Sequence, residues 1–199
     1  MRKFLLLIPF FLVACASSRF ESGFSPVYVT NTSKYMLLPA SEIESPIDTL
    51  ERMEADFGGQ HLEADLYVIS DENQLSVTVF NEFGATMASL LYDGSTLDFE
   101  SEFFPKKIKA EYIVADFQFA LYNADSIKSA LEKIDVDFEL SSEQNLNERT
   151  ETRILSKKGK IISKITKTYS CTENENREKL LSIHYENFLR GYSYLLTLL

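Results

Sequence analysis

A repeat of period two, broken once, constrains this chain more than any other feature. In residues 61–70, Leu62, Ala64, Leu66 and Val68 alternate with His61, Glu63, Asp65 and Tyr67. Such alternation sets one face of a strand against a core and leaves the other in water. It recurs over 75–82 with Leu75, Val77 and Val79, over 85–93, and from Leu97 through Phe99 and Ser101 to Phe103. Asp71-Glu72-Asn73, Gly84 and Asp93-Gly94 separate these runs. Asp-Gly predicts a hairpin with a type I′ turn, whose positive φ angles these two residues adopt at small cost. Residues 47–57 fit two periods: Ile47, Leu50, Met53 and Phe57 a helical one, Met53, Ala55 and Phe57 a strand that runs into Gly58-Gly59. The strand reading is adopted.

The period changes after Pro105. Ala110 to Tyr122 is apolar nearly all round, with Asp116 and Gln118 among its few polar residues, which predicts a buried helix. Asn123 then stands as N-cap of an amphipathic helix that buries Ile127, Ala130, Leu131 and Ile134. Alternation resumes at Val136, Phe138 and Leu140. Strands follow at 149–157 and 160–170 around a Lys157-Lys158-Gly159 turn, then at 179–188, and finally from Tyr192 to Leu199. Five strands, a helical insertion at about 108–134 and five more strands make a mainly β chain. A sandwich has no place for the apolar helix; a curved antiparallel sheet, a half-open barrel, takes it across the concave side.

The N-terminus reads as a secretory signal: basic Arg2 and Lys3, an apolar run from Phe4 to Val13 too short to span a bilayer, and small Ala14 before Cys15. Leu12-Val13-Ala14-Cys15 resembles the lipobox of bacterial lipoproteins. That resemblance implies cleavage of residues 1–14 and a diacylglycerol plus an N-acyl chain on Cys15, with no other cofactor. An ordinary secreted protein would share the leader without needing the cysteine. Ala16 and Ser17 lack the aspartate of the inner-membrane sorting rule, so outer-membrane attachment facing the periplasm is expected. Residues 15–45, with Pro26 and Pro39, read as a lipidated tether that becomes an ordered lead-in, and 46–199 as one domain. The net charge of −10 disfavours nucleic acid and anionic lipid headgroups as partners. Cys171 is the only other cysteine, so the mature chain holds no disulfide, and it reads as a half-buried small hydrophobe.

The stretch Tyr112-Ile113-Val114-Ala115-Asp116-Phe117-Gln118-Phe119-Ala120-Leu121-Tyr122, the hairpin around Arg153 and Gly159, and the ending Tyr185-Glu186-Asn187-Phe188-Leu189-Arg190-Gly191-Tyr192 resemble a family of bacterial outer-membrane lipoproteins. Its members are often encoded among genes for aryl polyene biosynthesis. The likeness covers roughly residues 45–199. The family's usual tryptophan is Tyr122 here, and the chain has no tryptophan. The family in turn resembles the LolA/LolB lipoprotein carriers, which implies a helix-covered half-open barrel that holds acyl chains.

Catalytic signals are sparse. No Gly-x-Ser-x-Gly elbow, phosphate loop or Cys-x-x-Cys pair occurs, and no spacing supports a metal site. His61 and His184 fall on the wet faces of strands, and the acids Asp135, Asp137 and Glu139 read as the wet face of another. Asp116 must reach water or a partner, because an unpaired buried charge is costly; backbone or Arg153 is the expected structural partner, and orienting a ligand's polar head the functional alternative. The 15 Phe and 10 Tyr exceed what a small core needs and suit the lining of a long apolar ligand. Shielding such a chain is worth ~25 cal/mol per Å². The expected lining is Leu66, Val68, Val77, Val79, Leu90, Tyr92, Phe99, Phe117 and Leu121, with Asp116 as its polar group. The expected function is a non-enzymatic lipoprotein that binds or transfers an acyl or aryl-polyene lipid, with biosynthesis or transport proteins as further partners. A scaffold with a filled interior and a lipid hydrolase or acyltransferase are the alternatives.

Overall fold

A computed structural model describes residues 25–102, 109–171 and 178–199. Cys15, the leader before it and Phe103 lie outside the described residues. The lead-in contributes a short antiparallel pair, Val27–Tyr28 (β1) and Lys34–Tyr35 (β2). Five strands follow: Ile47–Phe57 (β3), Gln60–Ser70 (β4), Leu75–Phe80 (β5), Thr86–Tyr92 (β6) and Leu97–Ser101 (β7). Helices Ala110–Leu121 (α1) and Ala124–Glu132 (α2) come next, then Asp137–Gln144 (β8), Glu148–Lys157 (β9), Lys160–Ser170 (β10), Lys179–Asn187 (β11) and Tyr192–Leu198 (β12).

The ten strands form one curved antiparallel sheet in the order β7-β6-β5-β4-β3-β12-β11-β10-β9-β8. The last strand joins the two meanders, pairing Tyr192 with Phe57 and Leu198 with Glu51. The edges β7 and β8 do not meet, so the barrel is half-open, in agreement with the architecture that the LolA/LolB resemblance implies. Edge β8 carries exposed Asp137, Glu139 and Glu143, charges that discourage pairing with another chain. Its alternation is real but its apolar face is shallow: Phe138 is half-buried and Leu140 exposed.

Helix α1 crosses the concave face and touches β1, β7, β10 and β11. Val114, Ala115, Phe117, Phe119 and Leu121 are buried, as an all-round apolar helix requires. Its C-terminal end sits over β9 and β10, whose inward positions are unexpectedly charged. Fully buried Arg153 donates to the carbonyls of Phe119 (3.2 Å) and Tyr122 (2.6 Å), to Glu151 (2.8 Å) and to Glu44 (2.6 Å). Lys167 reaches the same two carboxylates at 2.7 and 3.1 Å. Burial alone would raise the Glu151 carboxyl, but Lys167 and Arg153 outweigh it and hold it below the usual range. The Asn123 side chain caps α2, accepting from the backbone N–H groups of Asp125 and Ser126 at 3.0 and 3.3 Å.

The domain begins before position 46. Val27, Val29, Tyr35 and Leu37 are buried in the common core, so residues 25–45, read as an ordered lead-in, form a strap packed on the domain. Gln118 of α1 is fully buried and clamps it: Oε1 accepts from the Tyr35 hydroxyl (2.8 Å) and the Leu38 N–H (3.0 Å), and Nε2 donates to the Leu38 carbonyl (2.8 Å). The Asp93-Gly94 hairpin forms with different turn chemistry from that expected. Only Gly94 has positive φ (88°), and the Asp93 side chain accepts the N–H groups of Ser95 and Thr96. A Cβ on Gly94 would stand 3.3 Å from the Ala40 nitrogen of the strap. The Lys158-Gly159 turn, with φ of 52° and 75°, has the two positive angles of type I′.

Replacing Gln118 with leucine leaves the Tyr35 hydroxyl and the Leu38 N–H without their partner, while the Leu38 carbonyl keeps the Tyr92 hydroxyl. At about 1–3 kcal/mol per buried unpaired group, partly relieved by water entry, Gln118→Leu should lose about 3 kcal/mol in urea unfolding.

Candidate functional site: an apolar trough

Between α1, the β3–β7 half of the sheet and β12 lies a cavity of about 450 Å³. Its floor is made by Met53, Leu66, Val77, Val79, Ala88, Leu90 and Leu196, all buried. Phe99, Phe117, Ile113 and Tyr112 form the roof and flank. The exposed lining residues are Asp56, Phe57 and Gln60 at the β3–β4 hairpin, Arg190 at the β11–β12 turn and Lys109 ahead of α1, so the trough opens at that end of the barrel.

Of the residues expected to line it, Leu66, Val77, Val79, Leu90, Phe99 and Phe117 do, and so does Asp116. Val68, Tyr92 and Leu121 do not. They face inward as their period demands, yet are sealed in the packed core at 0%, 0% and 5% exposure. Val68 and Tyr92 lie two residues further from the mouth than Leu66 and Leu90, where the strap closes the interior and the Tyr92 hydroxyl donates to the Leu38 carbonyl (2.8 Å). Leu121 ends α1 at the filled side. The expectation missed Met53, Phe57, Leu62, Tyr112, Ile113, Tyr192, Tyr194 and Leu196. A helical projection carries one usable signal: Tyr112, Ile113, Asp116 and Phe117 share one face of α1, opposite Val114, Ala115 and Gln118, with Phe119 and Leu121 flanking it.

Asp116 does not pair with Arg153, which is occupied at the other end of the helix. It accepts a 2.6 Å hydrogen bond from the Tyr192 hydroxyl, with Arg190 nearby. Burial drives its carboxyl up to about 7, against the lowering effect of the bonds from Tyr192 and Tyr185 and of Arg190's charge. Its remaining exposure is to the trough, which it lines. Tyr185 stacks nearly parallel to Tyr192 and Tyr194, with ring centres 6.0 and 5.0 Å away. One wall of the trough is thus aromatic and hydrogen-bonding, the other aliphatic. Next to Leu66 in the register, Glu51 is fully buried; Oε1 accepts from the Thr49 hydroxyl (2.8 Å), while Oε2 has no partner among the described residues. Burial raises this carboxyl too.

Among the described residues, no histidine or cysteine lines the trough. His61 is exposed between Asp56 (3.0 Å) and Glu63 (3.5 Å), and the hydrogen bond to Asp56 raises its pKa. His184 is exposed on β11 and Cys171 is half-buried. Among the described residues no group of three His, Cys, Asp or Glu side chains could hold a metal ion, and no helix is long and apolar enough to cross a membrane.

A half-open barrel with a helix across its mouthward half and an apolar trough beneath defines the class of this protein by its architecture. The model of the family DUF3261, described as protein of unknown function, matches residues 49–198, and the chain belongs to that family. Among solved structures it is similar to a DUF1329 family protein from Desulfovibrio piger ATCC 29098, with 12% identity and a TM-score of 0.34, covering 80% of this chain and 87% of that one. No curated protein matches the chain.

The buried carboxyl carries a pH signature. A group whose pKa rises from 3.8 unfolded to about 7 folded holds a proton in the folded state that the unfolded chain has released, so stability falls as pH climbs between those values. Asp116→Asn keeps an acceptor for Tyr192 and removes that titration. Thermal midpoints of the two proteins should converge near pH 4 and diverge towards pH 7, with the variant the more stable; parallel curves would contradict the assignment.

Proposed function

We propose that this protein is a binder, not an enzyme: a lipoprotein, acylated at Cys15 and held at the outer membrane facing the periplasm, that takes the apolar chain of a lipid into its trough and helps transfer it. The observation that carries the reading is the open trough itself. Its volume, about 450 Å³, falls in the roughly 300–1,000 Å³ range of small-molecule sites. At ~30 Å³ per water-sized group it has room for on the order of fifteen methylenes, one long acyl or polyene chain. The aliphatic floor of Leu66, Val77, Val79 and Leu90 suits either chain, and the parallel tyrosine wall favours a flat conjugated one. An empty interior supports a carrier over a scaffold, because a scaffold gains nothing from leaving apolar surface unpacked. The aryl polyene association proposed from the family resemblance gives that conjugated chain a chemical identity.

Ala88 is a small buried residue of the floor, so Ala88→Trp should fill the trough while its inward face still packs. Native mass spectrometry of protein isolated without detergent exchange should show a bound lipid on the wild type and none on the variant. A fluorescent fatty acid should bind the variant at least tenfold more weakly with the circular dichroism spectrum unchanged. Wild-type protein that carries no lipid and binds neither a fatty acid nor a polyene acid would overturn the proposal.

A further inference from the structure

The strand directions put four hairpin tips at the mouth end: β3–β4, β5–β6, β9–β10 and β11–β12. Each ends in a large apolar side chain that faces solvent: Phe57, Phe83, Ile161, and the pair Phe188 and Leu189, with Phe83 at 86% exposure. Side chains of this size at every tip of one end are not leftovers of packing, since none of them is buried in the core. Lys158 and Lys160 stand exposed beside Ile161, and Arg190 beside Phe188 and Leu189, on the neighbouring β9–β10 and β11–β12 turns; exposed acids at the same end are Asp56, Glu82, Glu102, Asp135 and Asp137, on the other strand ends and turns. The opposite end is of different character. Its described turns carry Asp71, Glu72 and Asp93 and one exposed large apolar residue, Leu146, with Leu199 exposed just past the end of β12 and Lys179 at the start of β11. In a chain of net charge −10, three exposed cations and three of the apolar tips thus share two adjacent turns beside the opening of the cavity.

The described chain also begins at this rim. The Tyr28 backbone N–H donates to the Tyr112 hydroxyl (3.1 Å), and Arg190 donates to the Tyr28 carbonyl while its guanidinium lies 4.6 Å over the Tyr112 ring. Whatever is attached upstream therefore joins the domain beside the mouth.

We infer that the four mouth-end hairpins form a membrane-docking face that seats on a bilayer surface bearing anionic phospholipid headgroups. The apolar tips enter the headgroup and acyl boundary, and the lysines and Arg190 meet the phosphates. The acidic far end points away, because the same surface repels it. Seated this way, the trough opens directly onto the lipid, and a chain can pass between bilayer and cavity without crossing water. Docking needs only the tips, so it does not rest on the trough being occupied.

The core residues described lie between Val27 and Leu196, so a chain starting at position 15 and carrying Cys15→Ser keeps the whole core and lacks the acyl anchor. It should co-sediment with vesicles of phosphatidylglycerol and phosphatidylcholine in equal parts, less with phosphatidylcholine alone, and less again as salt screens the attraction. The double variant Lys158→Gln, Lys160→Gln should bind on the order of thirtyfold more weakly. Phe83→Ser with Phe188→Ser should lose at least tenfold, whereas Leu146→Ser at the far end should lose nothing. All of these residues are exposed, and the variants should take up fluorescent fatty acid as the wild type does. Absence of vesicle binding, indifference to the tip and lysine substitutions, or an equal loss with Leu146→Ser would each overturn the docking face. Vesicle binding by a wild type that takes up no fatty acid would leave the docking face standing and remove the carrier reading.

Discussion

A helix buried inside a sheet must find partners for its last carbonyls, and here one arginine supplies two of them, with the Glu44 backbone N–H taking the Leu121 carbonyl. Arg153 reaches from β9 to the carbonyls of Phe119 and Tyr122 and is itself met by Glu151 and Glu44. A cation at a helix C-terminus is favoured by the helix dipole and by the unpaired carbonyls. Because this one has no exposure to water, its two carboxylates are a condition of its being there. Lys167 completes the balance. The arrangement pins the far end of α1 over β9 and β10 and draws in the strap through Glu44. Gln118 then locks the strap from the helix side.

The consequence is a barrel with two unequal halves. Under the C-terminal end of α1, charged groups, the strap and packed aliphatics fill the space. Under its N-terminal end no described element fills the space, and the inward side chains of β3 to β7 and β12 line a cavity. The same helix therefore does two things along its length. Residues 118–122 are structural, whereas Tyr112, Ile113, Asp116 and Phe117 look into the trough. Asp116 is tolerated in that apolar setting because Tyr192 donates to it and because burial lets it take a proton near neutral pH. A neutral, hydrogen-bonding wall costs an apolar ligand far less than an anionic one.

Most of the secondary structure was legible in the residues alone, for local reasons. Period two set the strands, the all-round apolar segment set α1, and Asn123 marked the start of α2. The ambiguous 47–57 segment resolved as β3, the strand that the C-terminal strand later pairs. The lead-in was illegible because its apolar islands are short and its order comes from distant partners: Tyr35 and Leu38 are held by Gln118, some 80 residues on. The site was legible only by face. Leu66 and Val68, or Leu90 and Tyr92, share an orientation and a chemistry, and no local pattern separates a wall residue from a core residue two places away. Arg153 was expected to meet Asp116 and instead holds the other end of α1, because depth along the barrel, not side-chain direction, separates the two.

What the sequence determined by itself was therefore the alternation, the turns, the helix that had to be covered and the direction in which each strand side chain points. Tertiary structure alone decided depth: how far α1 and the strap fill the barrel, which inward residues border empty space, and that Asp116 answers to Tyr192 and not to Arg153. The division has a physical cause. Side-chain direction follows from backbone geometry between neighbouring residues, whereas the position of a void is set by what arrives from other parts of the chain, and no residue's own neighbours carry that information.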